Sequence, residues 1–133
     1  MYDHPTAAEL ITAARMQLEQ QVIPSIAEPR LRFQTLVAAN VLAIVERELA
    51  AGEAYLAAAW QRAADLQGDT ADQPAGEMLR ADVASQARRL CEDIRAGIYD
   101  DQLRHQALLA HLRRTAEEEL AVANPRYLER VRG

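Results

Sequence analysis

The chain contains no lysine: its 15 basic residues are all arginines. That excludes a phosphate-gripping P-loop lysine, a Schiff-base lysine and a lysine general base. The single cysteine, Cys91, excludes an internal disulfide framework. Ser25 and Ser85 are the only serines, and neither lies in a Gly-x-Ser-x-Gly turn, so no triad hydrolase nucleophile is present. No apolar run approaches the roughly 20 residues that cross a bilayer, so no membrane attachment is expected. The opening Met1-Tyr2-Asp3-His4-Pro5 has neither a basic region nor an apolar run. A signal peptide is therefore not expected, and a cytoplasmic location is. There is no alternating β-branched run, no Asn-Gly turn and no repeat of fixed period.

The net charge is −5, with acids and bases interleaved along the chain rather than sorted into a basic face. Duplex nucleic acid is therefore not an expected partner. At 133 residues the chain reads as one domain, residues 1–133. A domain of this size buries roughly 65–70% of its unfolded surface, enough for a core without staples.

What the chain has in quantity is helix. Residues 36–45 (Leu36-Val37-Ala38-Ala39-Asn40-Val41-Leu42-Ala43-Ile44-Val45) include one polar side chain. A surface helix carries a one-sided apolar stripe, whereas a helix apolar nearly all round is wrapped by others. Pro29 suits a first helical position and Gly52 a stop, so a central helix is predicted from Arg30 to Ala51. Phe33, Val37, Asn40 and Ile44 share one of its faces.

The other helices follow from spacing and punctuation. Thr6-Ala7-Ala8-Glu9 reads as a capping box opening a helix to about Val22, with Leu10, Ile11, Ala14, Leu18 and Val22 as its stripe. Pro24 and Pro29 predict a kinked connection. Glu53 to Leu66 is predicted as an alanine-rich helix with Tyr55, Leu56 and Trp60 as its large apolar groups. It should be held weakly or pack very closely. Gln67 to Pro74 is turn-like. A fourth helix, Gly76 to Ile98, carries Leu79, Val83, Ala87, Leu90, Ile94 and Ile98. A fifth, capped by Asp100 or Asp101, runs to Ala123 with Leu108, Leu112, Ala116 and Leu120. Asn124-Pro125 ends it, and a last short turn holds Tyr127, Leu128 and Val131. The fold class expected is all-α: an antiparallel up-and-down bundle of four long helices plus a shorter alanine-rich one.

A search for chemistry returns little. A di-iron bundle needs Glu-x-x-His on two helices, but Gln102 precedes His105 at that spacing and Leu108 precedes His111. No metal and no cofactor is expected. Cys91 beside Leu90 reads as a small core hydrophobe. His105 and His111, six apart, do not share a helix face and read as surface or satisfied histidines. Asn40 must find a bond if buried, either within the protein or to a partner. Arg30 and Arg32 flank Phe33; with Arg47 they either hold an anion or a partner's carboxylates, or simply solvate a helix end.

Several stretches together resemble a bacterial family of small, all-helical proteins of unknown function. They are Pro5-Thr6-Ala7-x-Glu9-Leu10, Leu31-Arg32-Phe33, Val37-Ala38-Ala39-Asn40, Ile44-Val45-x-Arg47-Glu48-Leu49, Ile94-Arg95-Ala96-Gly97 and residues 120–128, Leu120-Ala121-Val122-Ala123-Asn124-Pro125-Arg126-Tyr127-Leu128. The resemblance spans nearly the whole chain and is weakest from Glu53 to Pro74. It implies a partner rather than a reaction. Members look like companions of aminoglycoside-phosphotransferase-like kinases in bacterial acyl-CoA catabolism, alongside acyl-CoA dehydrogenases. The kinase would phosphorylate a hydroxyacyl-CoA, and this chain would be its non-catalytic accessory subunit. The chain itself lacks a Gly-rich phosphate loop, a catalytic Asp–Asn loop and lysine, so it is not the kinase. No catalytic residue is carried over. The polar positions of the motifs, Arg30, Arg32, Asn40, Arg47, Glu48, Asn124, Arg126 and Tyr127, are the candidate partner- or anion-binding set. A kinase-binding subunit predicts an exposed apolar patch, placed around Tyr55 and Trp60. A bundle binding an acyl or CoA group predicts a cavity near Asn40. A homodimer predicts a patch that pairs with itself.

Overall fold

A computed structural model describes residues 4–133, so Met1-Tyr2-Asp3, part of the stretch read for a signal peptide, lies outside the described residues. The described chain is all-helical: α1 (Ala7–Gln17), α2 (Pro29–Gln67), α3 (Gly76–Arg95), α4 (Gln102–Ala123) and α5 (Pro125–Arg132). No strand occurs among the described residues. The described chain divides into two compact units, one of residues 4–51 and 122–124, the other of residues 52–121 and 125–133.

In the first unit, α1 starts on the capping box expected from its sequence. The Glu9 N–H donates to the Thr6 hydroxyl at 3.2 Å, and the Thr6 N–H donates to the Glu9 carboxylate at 2.7 Å. The helix then loosens into a π-helical stretch, Leu18–Val22, and a 3₁₀ turn, Ile23–Ser25, where Pro24 supplies no donor. Pro29 is the first residue of α2, as its fixed φ suggests. The cap beneath it is Glu28, whose carboxylate accepts from the N–H groups of Arg30 at 2.9 Å and Leu31 at 2.6 Å. Sequence reasoning passed over Glu28, since glutamate is not a favoured N-cap residue.

α2 is helical on both sides of Gly52, which sits at φ 58°, ψ −160°. That region is essentially reserved for glycine, so the stop expected at this residue is a bend between two helical limbs, residues 29–51 and 53–67. The first limb is not wrapped by neighbours. Ala39 is buried, but Leu31, Phe33, Leu36, Val37 and Val41 are exposed. Apolar composition on every side specifies a helix that can be covered, not one that is.

The second unit holds most of the core. Trp60, Ala64 and Leu79 form one buried cluster, with Leu56, Ala57 and Val83 against it. Leu90, Tyr99 and Leu108 form another, with Leu66 against them. The alanine-rich limb is thus closely packed, the second of the two outcomes expected for it. Small side chains let helices approach, and the one large residue, Trp60, is 2% exposed. Its indole N–H donates to Asp82 on α3 at 2.5 Å.

Contacts fix the senses of these helices. Along the 53–67 limb and α3, Glu53 meets the Gly76 N–H, Trp60 meets Asp82, and the Gln67 side-chain amide donates to the Gln86 carbonyl. Residue numbers rise together, so the two run in the same sense. The expected up-and-down order does not hold for this pair, because the connection after Gln67 runs back alongside instead of turning tightly. It leaves α2 through paired bonds, Asp69 N–H to Ala64 C=O at 2.9 Å and Gly68 N–H to Asp65 C=O at 3.4 Å, a glycine-terminated helix end. α4 runs opposite to the limb: Arg62 meets Glu118, and Leu66, further along the limb, packs against the cluster that holds Leu108. Asp101, one of the two expected caps, accepts from the Arg104 N–H at 3.0 Å. The final short turn is a two-turn helix, α5, anchored by buried Leu128.

Candidate functional site

Of the eight candidate polar residues, Arg47 is half-buried, Tyr127 faces a neighbouring arginine, and the other six are exposed. Arg47 is half-buried, and its Nε donates to the Val122 carbonyl at 2.6 Å, 75 residues away. Val122 lies in the last turn of α4, where carbonyl groups have no helical partner and a cation is favoured. Arg47 is thus engaged in closing a helix end within the first unit. Arg130 places its guanidinium 5.3 Å from the centre of the Tyr127 ring, a cation–π contact on one turn of α5. Arg30, Arg32, Asn40, Glu48, Asn124 and Arg126 are exposed. The structure brings Arg47 to the tail of α4, two residues before Asn124, and none of the eight candidates lines the two depressions described below.

Asn40 is not the buried amide that the apolar run around it suggests. It lies on the exposed face of the first α2 limb. At 100° per residue, Phe33, Leu36, Val37, Asn40 and Val41 occupy one side of that limb. Phe33 is 66% exposed, and Leu36, Val37 and Val41 are each close to half exposed. This row of four large apolar groups around one amide is the most distinctive surface feature of the first unit. The patch expected around Tyr55 and Trp60 is not there, because Trp60 is core.

Electrostatic features serve packing. Arg15 on α1 donates to Glu46 at 2.7 Å and to Glu19 at 2.8 Å. The Arg15 bond holds the Glu46 carboxyl below its ordinary value. In the second unit, Arg62 grips Glu118 with two bonds of 2.9 and 2.6 Å, and Arg114 reaches the same carboxylate at 3.0 Å. Burial first, then nearby Arg62, pushes the His111 imidazole below its ordinary value, while Glu118 opposes them. Gln86 is 1% exposed; its amide N–H donates to the Trp60 carbonyl at 3.3 Å, and its side-chain oxygen has no protein partner. A signal for Gln86 was present: position 86 falls on the Leu79–Val83–Leu90 stripe, so a polar residue there had to be buried. Cys91, read as a core hydrophobe, is exposed and free, because it lies one residue off that stripe.

Two open depressions lie in the second unit. One of about 450 Å³ follows the side of α4 along Gln106, Leu109, Arg113 and Glu117. The other, about 500 Å³, lies between Asp72 and Pro74 and the side of α3 at Met78, Asp82 and Ser85. Asn40 lines neither. Among the described residues, no three His, Cys, Asp or Glu side chains converge as a metal site. No helix there is long and apolar enough to cross a membrane.

No curated protein and no solved structure matches the chain. A family model does, over residues 24–127, which takes in α2, α3 and α4 and leaves out the α1 capping box that opened the sequence resemblance. The chain therefore belongs to the family described as a domain of unknown function, DUF6285.

Proposed function

We propose that this protein is a non-catalytic accessory subunit whose work is done by binding other protein surface. The observation that carries the reading is the exposed row Phe33, Leu36, Val37 and Val41 on a helix rich enough in apolar residues to be a core element. Contiguous apolar surface of this kind marks an interaction site more often than an accident of composition. The enzyme it serves is, on the sequence resemblance, an aminoglycoside-phosphotransferase-like kinase acting on a hydroxyacyl-CoA. The arginine-rich, lysine-free composition suits such a role, since guanidinium groups bind carboxylates and phosphates through paired bonds.

Co-expression with the phosphotransferase-like kinase encoded nearest to this chain tests the proposal. Size exclusion with light scattering should give a complex of both chains. ATP-dependent phosphorylation of a 4-hydroxyacyl-CoA should depend on the presence of this chain. Separate peaks together with an unaffected kinase reject the role.

A further inference from the structure

One face of α4 carries four side chains of different kinds in order. Leu108, His111, Thr115 and Glu118 lie within about 80° of one another around the helix, and each is buried or half-buried. This face meets the 53–67 limb, which runs the opposite way. Leu66 packs against the cluster that holds Leu108. Arg62, one turn back along the limb, grips the Glu118 carboxylate through bonds of 2.9 and 2.6 Å. His111 therefore lies along α4 between the apolar cluster and the ion pair. Its backbone is tied to the same face, since the Thr115 hydroxyl donates to its carbonyl at 3.0 Å. Arg62 uses both terminal nitrogens on Glu118, while its Nε is buried without a partner.

Each neighbouring element contributes to the surroundings of the imidazole. The limb presents Arg62. α4 itself presents Glu118, which Arg114 also reaches at 3.0 Å. Arg104, two turns earlier on α4, is exposed and pairs with Asp101 at 3.5 Å. α3 and the turn after it bring Leu90 and Tyr99 to Leu108; burial pushes the Tyr99 phenol up, so it stays neutral while histidine titrates. α5 places Arg132 on Glu117, on another edge of α4. Arg62 keeps its charge at every accessible pH. A neutral imidazole can stand near it. An imidazolium adds a second cation in a partly buried place, where repulsion is screened less than in open water. Burial first, then Arg62, hold the His111 imidazole below its ordinary value against the pull of Glu118. By linkage, whatever resists protonation in the closed arrangement is what protonation opens.

We infer that His111 and the Arg62–Glu118 pair form an acid-released latch between α4 and the 53–67 limb. Above pH 6.5 the imidazole is neutral and Arg62 stays on Glu118. At lower pH the imidazolium drives Arg62 away, and the two helices part locally around Leu66 and Leu108. One proton operates the latch, so its response is graded with pH. The latch lies wholly within the second unit and is independent of what binds the exposed face of residues 29–51.

Hydrogen exchange of the full chain reads the latch between about pH 7.5 and about pH 5, once corrected for the intrinsic pH dependence of amide exchange. Protection in residues 106–118 and 57–66 should fall several-fold over that range, while residues 29–51 stay level. His111→Gln cannot take up a proton there and should remove most of the fall. NMR titration of the His111 ring separates the latch from plain burial. Arg62→Gln removes the opposing cation and should raise the midpoint of His111. Arg62→Lys keeps the charge and should leave the midpoint near that of the parent. Protection that does not change with pH overturns the inference. So does a loss equally large in residues 29–51, a loss that persists in His111→Gln, or a midpoint that fails to rise in Arg62→Gln. If Arg62→Gln does not fold, the exchange comparison of the parent with His111→Gln decides alone. Neither result bears on whether a kinase depends on this chain, so the accessory role stands or falls separately.

Discussion

Gln86 shows what one polar side chain does in this core. Its volume fills a space between α3 and Trp60, but its side-chain oxygen is buried without a protein partner. Leaving a buried acceptor unmade opposes folding by about 1–3 kcal/mol, close to what its single long bond returns. Gln86→Leu keeps the volume and removes both the bond and the orphan. Its stability should fall within about 1 kcal/mol of the parent, on either side. Gln86→Ala removes volume as well and should lose about 2 kcal/mol or more. Urea unfolding followed by circular dichroism separates the two; a large loss in both would mean that the amide bond dominates.

His111 is the residue whose charge state should matter most below neutrality. Burial and Arg62 hold its folded-state pKa below the ordinary 6.5. The unfolded chain then binds a proton more readily than the folded one. By linkage, the stability His111 contributes is fully present above pH 6.5 and is lost as pH falls through its lowered folded value. Glu46, held low chiefly by Arg15, adds a further loss at more acidic pH, below its ordinary 4.5. Stability measured by denaturant should decline from pH 7 downward, and His111→Gln should flatten the upper part of that decline. An unchanged slope in the variant would remove His111 from the account.

At the scale of elements, local signals read well and tertiary ones poorly. The Thr6–Glu9 capping box, Pro29 at a helix start, the Gly52 break and the Asp101 cap are set by a few neighbouring residues, and all four are where spacing and residue type put them. The Trp60–Asp82 bond joins residues 22 apart, and nothing local announces it. The same limit explains the candidate site. Period 3.6 correctly groups Phe33, Val37 and Asn40 on one face, but it does not say what covers the face. Its exposure, and the burial of Trp60, became visible only in three dimensions.

Gly52 gives this scale its sharpest test. A Cβ there would touch nothing within 4 Å, so crowding is not the reason for glycine. The reason is φ 58° with ψ −160°, a backbone region that side chains exclude at roughly 1–3 kcal/mol. Gly52→Ala should therefore destabilise by that amount despite the open space and alanine's higher helix propensity. If the variant is as stable as the parent, the two limbs of α2 do not need their bend.

For the whole molecule, the burial is unevenly shared. Of the buried residues described, only Ile23 and Ala39 belong to the first unit; Trp60, Ala63, Ala64, Leu79, Gln86, Leu90, Tyr99, Leu108 and Leu128 belong to the second. Each buried large apolar side chain contributes roughly 1.5–3 kcal/mol relative to exposure. The first unit therefore has much less to lose on opening, and local opening follows the weakest packing. Hydrogen exchange should reflect this. Backbone amides in α1 and in residues 29–51 should exchange faster than those in α3 and in residues 53–67, though all are helical and bonded. Uniform protection across α2 at low concentration would mean that the first unit is held by something other than its own sparse core, and would require a different origin for the exposed face.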